Sequence, residues 1–175
     1  MRYTAAKYQP ETASPHSPDA PMQLTLQCLI GAIMVAVTVL IQAAGTTWWL
    51  RRLVHRYAGG TGDLPTMTAM RILIGTGTVL VGLHVVQIIL WALVYRGLPT
   101  AAELPTMESA VYFSVVTFTT LGYGDITLDP GWRVLSGIES MNGILLVGWS
   151  TATFFAAVQR IWQSGGRLAV TGRDN

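Results

Sequence analysis

Cysteine is nearly absent from this chain. Cys28 stands alone among 175 residues, which excludes an intrachain disulfide and any cysteine-based metal cluster and leaves an intersubunit bridge as the one remaining option. Charge is scarce too. Only 11% of the residues are Asp, Glu, Lys or Arg, against roughly 25% in a soluble domain. A net charge of +2, spread over helix ends, offers no basic footprint for nucleic acid. No glycine loop precedes a Lys-Ser/Thr pair, no hydrolytic triad can be assembled, and metal-ligating residues do not cluster, so no enzyme is expected. No cofactor is expected either.

What remains is apolar: 51% of the residues are hydrophobic, and they are segregated from the charges. A membrane-spanning helix needs about 20 apolar residues. Three stretches meet that length, Leu24 to Leu50, Ile72 to Tyr95 and Val134 to Trp162, the last interrupted by Glu139. A fourth, Ser109 to Phe118, is too short to cross and predicts a re-entrant helix sheltered by its neighbours. Arg51, Arg52, Arg56 and Arg71 follow the first span, and Arg160, Arg167 and Arg173 follow the third. By the positive-inside rule these sides face the cytoplasm, which puts the acid-bearing segment with Glu103, Glu108, Asp125 and Asp129 outside. The amino terminus is then outside as well, in a multi-pass protein of the cell membrane. Its first residues, with Pro10, Pro15, Pro18 and Pro21, read as a flexible tail with no cleavable signal.

Thr119-Thr120-Leu121-Gly122-Tyr123-Gly124-Asp125 carries the chemistry. Glycines on both sides of a tyrosine allow backbone conformations closed to other L-residues, so that successive carbonyls can point one way. The run resembles the selectivity filter of the potassium-channel pore-domain family. The resemblance implies that the carbonyls of Thr120, Leu121, Gly122 and Tyr123, with the Thr120 hydroxyl, coordinate dehydrated K⁺ as the permeant ion and that Gly124 completes the filter. Upstream, Tyr112-Phe113-Ser114-Val115-Val116-Thr117 is similar to that family's pore helix, with Tyr112 and Phe113 in place of two tryptophans. Tyr112 is expected to bond Asp125. Phe113 offers no donor to the Tyr123 hydroxyl, and Thr117 is the expected substitute. Pro105-Thr106 predicts the start of that helix, Thr106 being an N-cap.

Further residues invite roles. Glu139 lies about two turns below Trp132, roughly 10 Å, hence at filter depth. Two readings stay open: a partly protonated brace behind the filter bonded to Thr117 or Ser140 and neighbouring pore-helix groups, or an acid reaching up to outer water. Gly143 matches the family's inner-helix hinge, which would set Ile144, Val147 and Thr151 along a cavity and Phe154 or Phe155 at a gate. The row Gly148, Ala152, Ala156 suits close helix packing. His84 and Gln87 share one face, as do Thr38 and Gln42, so interhelical bonds between the two pairs are expected, with pH sensing by His84 the alternative. Trp48-Trp49 and Trp91 to Tyr95 read as interfacial belts. No span carries basic residues at every third position, so no voltage sensor is expected, and the tail after Trp162 is too short for a ligand-binding domain.

The expected architecture is all-α and integral to the membrane, with three transmembrane helices and a re-entrant pore helix and filter loop between the second and third. In order it reads as an extracytoplasmic tail (1–23), first span (24–50), cytoplasmic loop (51–71), outer pore helix (72–95), pore helix, filter and outer loop (105–131), inner pore-lining helix (132–162) and cytoplasmic tail (163–175). One chain holds one filter motif while the family's filter needs four, so the resemblance implies a homotetramer in the bilayer.

Overall fold

A computed structural model describes residues 20–57, 65–99 and 103–166, and among them the protein is all helical. The distal amino-terminal tail and the carboxyl-terminal Arg167 and Arg173 lie outside the described residues. Helix α1 spans Ala20–Tyr57, α2 Thr66–Gly97, α3 Met107–Phe118 and α4 Arg133–Gly166. All but α3 are long and apolar enough to cross a membrane. Helix α1 is longer than its apolar core, and at 38 residues it reaches about 57 Å, well beyond a hydrocarbon layer of about 30 Å. Its last turns therefore carry the polar Arg51, Arg52 and Arg56, all exposed.

Helix boundaries follow local chemistry. Pro65 precedes α2 and its carbonyl takes the amides of Thr68 and Ala69 at 2.8 and 3.1 Å. Thr106 caps α3 in a reciprocal box with Ser109: each backbone amide donates to the other's hydroxyl at 3.1 Å. A 3₁₀ turn over Pro130–Trp132, begun by Asp129 accepting from the Gly131 amide, leads into α4. Two arginines fix the connections from the side. Arg96 donates to the Leu104 carbonyl at 2.8 Å and Arg133 to the Leu128 carbonyl at 3.0 Å, over buried Leu104, Leu128 and Trp132.

The burial pattern is that of a chain solvated by lipid. Large apolar side chains such as Leu29, Ile33, Leu40, Ile74, Val81 and Leu145 point outward, whereas the inward stripes hold most of the polar residues. On α1 the buried positions are Gln27, Gly31, Met34, Thr38, Gln42 and Thr46, spaced by four or three, a seam against neighbouring helices. Leu135, Glu139, Asn142, Leu146 and Ser150 form the matching stripe on α4. Lipid tails are as apolar as leucine, so close packing and hydrogen bonds, not water exclusion, join such helices.

Those stripes meet in a mid-membrane polar seam. Gln87 donates to Gln42 Oε1 at 2.9 Å and to the Thr38 carbonyl at 3.4 Å, which realises the expected link between α1 and α2. The remaining partners come from α4. Gln42 donates to Ser150 Oγ at 2.9 Å, Asn142 donates to Thr38 Oγ1 at 2.8 Å, and His84 Nε2 lies 3.0 Å from Ser150 Oγ. Near the start of α4, the Leu135 amide donates to Gln27 Oε1 at 3.2 Å. The aromatic belts need correction: Trp91 and Tyr95 are wholly buried between helices, and Trp49 donates to Thr76 Oγ1 at 3.0 Å. Of the belt aromatics, Trp48 alone is largely exposed, with Arg52 5.5 Å from its ring centre.

Candidate functional site: the loop after the short helix

Helix α3 is wedged between α2 and α4 and ends where the Thr119–Asp125 loop begins. The loop is pinned from behind by its own amides. Val116 O accepts from the Leu121 amide at 2.9 Å and from Gly122 at 3.2 Å, while Thr120 N donates to Thr117 O at 3.0 Å. At the far end the Tyr112 hydroxyl donates to Asp125 Oδ2 at 2.7 Å, joining the loop to the side of α3. That bond holds the Asp125 carboxyl below the usual carboxylate range and pushes the Tyr112 phenol up.

Between these anchors the backbone alternates in hand. Thr120, Gly122 and Gly124 have φ of 59°, 54° and 75°, whereas Leu121 and Tyr123 keep negative φ. Alternation of left- and right-handed residues turns successive amides to one side and carbonyls to the other. With the amides of Thr120, Leu121 and Gly122 bound to α3, the carbonyls of Thr120 to Tyr123 find no hydrogen-bond partner among the described residues. A β-branched residue at positive φ is strained by about 1–3 kcal/mol, so the geometry at Thr120 is imposed by its surroundings. The side chains of Leu121 and Tyr123 are exposed, 54% and 66%.

Below the loop, Thr119 and Thr120 border a pocket of about 760 Å³ that α4 lines with Ile144, Val147 and Thr151. The carbonyl end of α3 faces it, a partial negative charge favourable to a cation. Phe155 lines the pocket, whereas Phe154 turns toward Gly77 of α2, so only the former stands on the cavity side. A second pocket, about 630 Å³, lies behind the loop between Tyr112, Val116, Thr117 and the α4 residues Arg133, Ser136 and Ser140.

The partners of Glu139 differ from the expected ones. Glu139 is fully buried and does not reach outer water, yet its partners are neither Thr117 nor Ser140. Tyr95 donates to its Oε2 at 2.6 Å and Ser114 Oγ lies 2.5 Å from its Oε1. Ser140 instead donates to the Thr117 carbonyl at 3.0 Å. Thr117 is buried and does not bond Tyr123 within one chain, where the Tyr123 hydroxyl has no partner among the described residues. Gly143 lies within an unbroken α4 and is needed for close approach: a Cβ there would sit 2.0 Å from the Phe118 carbonyl oxygen. Phe113 packs edge-on to Tyr95, ring centres 5.1 Å apart.

Ser114, Asn142 and Ser150 went unassigned in the sequence. Their signal was present, since Glu139, Asn142 and Ser150 repeat at helical spacing along one α4 face. Among the described residues no group of His, Cys, Asp and Glu is arranged to hold a metal ion. No curated protein matches the chain. No solved structure does either. Residues 79–160, which hold the C-terminal part of α2, α3, the loop and most of α4, match the family described as ion channel. The part of this multi-pass membrane protein that carries the loop is therefore similar to the ion channel family.

Proposed function

We propose that the protein is a K⁺-selective channel formed by four copies of this chain, each contributing one Thr119–Asp125 loop to a shared filter. The observation that carries this reading is the alternating backbone hand at Thr120, Gly122 and Gly124, with amides held by α3 and carbonyls left open. Four such rows facing an axis supply the oxygens that replace a dehydrated ion's water. Thr120, Leu121, Gly122 and Tyr123 would bind K⁺, Tyr112 and Asp125 would hold the outer mouth, and Ile144, Val147 and Thr151 would line the cavity beneath. A single chain leaves Leu121 and Tyr123 uncovered, and neighbouring copies supply what covers them.

The reading extends to orientation. The amino terminus and the α3 loop face outside, α4 ends in the cytoplasm, and the cell membrane is the location. Full-length protein in liposomes is expected to pass K⁺ and Rb⁺ far better than Na⁺, with Ba²⁺ blocking, and Tyr123→Asp is expected to erode that preference. Equal K⁺ and Na⁺ flux would instead indicate a weakly selective cation channel. Absence of flux would indicate a non-conducting subunit of other channels, and a cross-linked species other than a tetramer would overturn the assembly.

A further inference from the structure

Glu139 sits fully buried where α2, α3 and α4 meet, and among the described residues no basic side chain pairs with it. Arg96, next to Tyr95 in the chain, donates to the Leu104 carbonyl, and Arg133 on α4 donates to the Leu128 carbonyl. From α2 the group facing it is the Tyr95 hydroxyl, and from α3 the Ser114 hydroxyl. Helix α1 brings no ionisable group to it, because Cys28 is exposed and its basic residues lie in the last turns. An ionised carboxylate without a counter-charge in such a place is strongly unfavourable, and a buried acid takes up a proton instead.

The hydroxyl of Ser114 identifies where that proton lies. Its oxygen is 2.5 Å from Glu139 Oε1 and 3.0 Å from the Ile88 carbonyl of α2, yet it owns one proton. The Ile88 carbonyl can only accept. If Ser114 donates to Ile88, the short contact to Glu139 is filled by a proton on the carboxyl, and Oε2 remains free to accept from Tyr95. Each donor then meets one acceptor, with no net charge in the membrane.

We infer that Glu139 is held as a neutral carboxylic acid in a proton chain from Tyr95 through Glu139 and Ser114 to the Ile88 carbonyl, and that this chain positions α3. Ser114 stands two residues before Val116, whose carbonyl grips the amides of Leu121 and Gly122. Glu139 thus acts on the loop through α3, as a positioning residue and not as an ion ligand. The functional part rests on the channel reading above; the protonation state does not.

Infrared spectroscopy of the full chain in lipid is the test. At neutral pH the parent is expected to show a protonated-carboxyl C=O band that disappears in Glu139→Gln and moves in Tyr95→Phe, which removes the donor to that C=O. Glu139→Gln retains a donor and an acceptor, so it is expected to recover most of the thermal stability and K⁺ flux that Glu139→Val loses. No protonated band in the parent at neutral pH, or a Gln variant as impaired as the Val variant, overturns the inference. A chain that shows the band but passes no K⁺ sinks the channel reading alone.

Discussion

Gly143→Ala is the sharpest single perturbation of this structure. An added Cβ would stand 2.0 Å from the Phe118 oxygen, 2.8 Å from its carbonyl carbon and 3.2 Å from its Cα. All three are backbone atoms. They cannot swing away as a flexible side chain would, so α4 and the end of α3 must separate by more than an ångström to restore ordinary contact. The hydrogen that occupies the Cβ direction now forms a Cα–H···O contact with Phe118, which would be lost as well. Forcing a group into a packed interior costs typically about 1–3 kcal/mol per chain. Phe118 immediately precedes Thr119, so the displacement is passed to the loop, not absorbed at a distance. Gly148→Ala is the matched control, since nothing lies within 4 Å of a Cβ there and alanine is favoured over glycine in a helix by roughly 1 kcal/mol. Thermal unfolding in detergent and ion flux in liposomes are the assays. Gly143→Ala is expected to unfold at lower temperature and to lose K⁺ over Na⁺ preference, while Gly148→Ala does neither. A hinge role would alter opening and leave thermal stability and selectivity intact. Parental stability and selectivity in Gly143→Ala would refute the close-approach account.

The Asp125 carboxyl is held below its usual range by the Tyr112 hydrogen bond, so the contribution of that bond is complete above the ordinary carboxylate pKa and vanishes only as pH falls through the lowered folded value. Tyr112→Phe should therefore move the outer-acid inactivation midpoint upward, toward the ordinary carboxylate value; an unmoved midpoint would mean that the bond is not made in the membrane. Gln42→Leu and Asn142→Leu each break a link from α1 to α4, and each should lower thermal stability by about 0.5–2 kcal/mol, with the double variant less than additive because both act on one seam. Full additivity would show that the two bonds act independently. Cysteine placed at Asp129 should react with an impermeant reagent applied outside intact cells and cysteine at His55 should not; the reverse pattern would overturn the arginine-based orientation. Open probability should depend weakly on voltage, because the described spans hold no ladder of charges to move at about 2.3 kcal/mol per charge per 100 mV.

Composition by itself determined the membrane class, the three spans and the short fourth helix, because a stretch solvated by lipid must be apolar along its length and satisfy its own backbone. The Thr119–Asp125 run likewise announced itself, since only glycine at alternate positions makes that backbone inexpensive to hold. The sequence was also enough to mark Thr106 as the cap, which is local, whereas the pairing of Tyr112 with Asp125 across 13 residues came from the family resemblance. Tertiary structure decided the rest. Glu139 could be set at filter depth from its helical position, but whether it met Thr117, Ser140 or water depended on which faces of α2 and α3 turned toward α4, and these proved to bring Tyr95 and Ser114. Trp91 and Tyr95 have the composition of a membrane interface and were placed in the core by that same rotation. Gly143 carried no sign in the sequence of its contact with α3; only the tertiary structure brings the Phe118 carbonyl against it. Periodicity gives the stripe on each helix, but the pairing of stripes follows from packing among residues far apart in the chain, which no local pattern encodes.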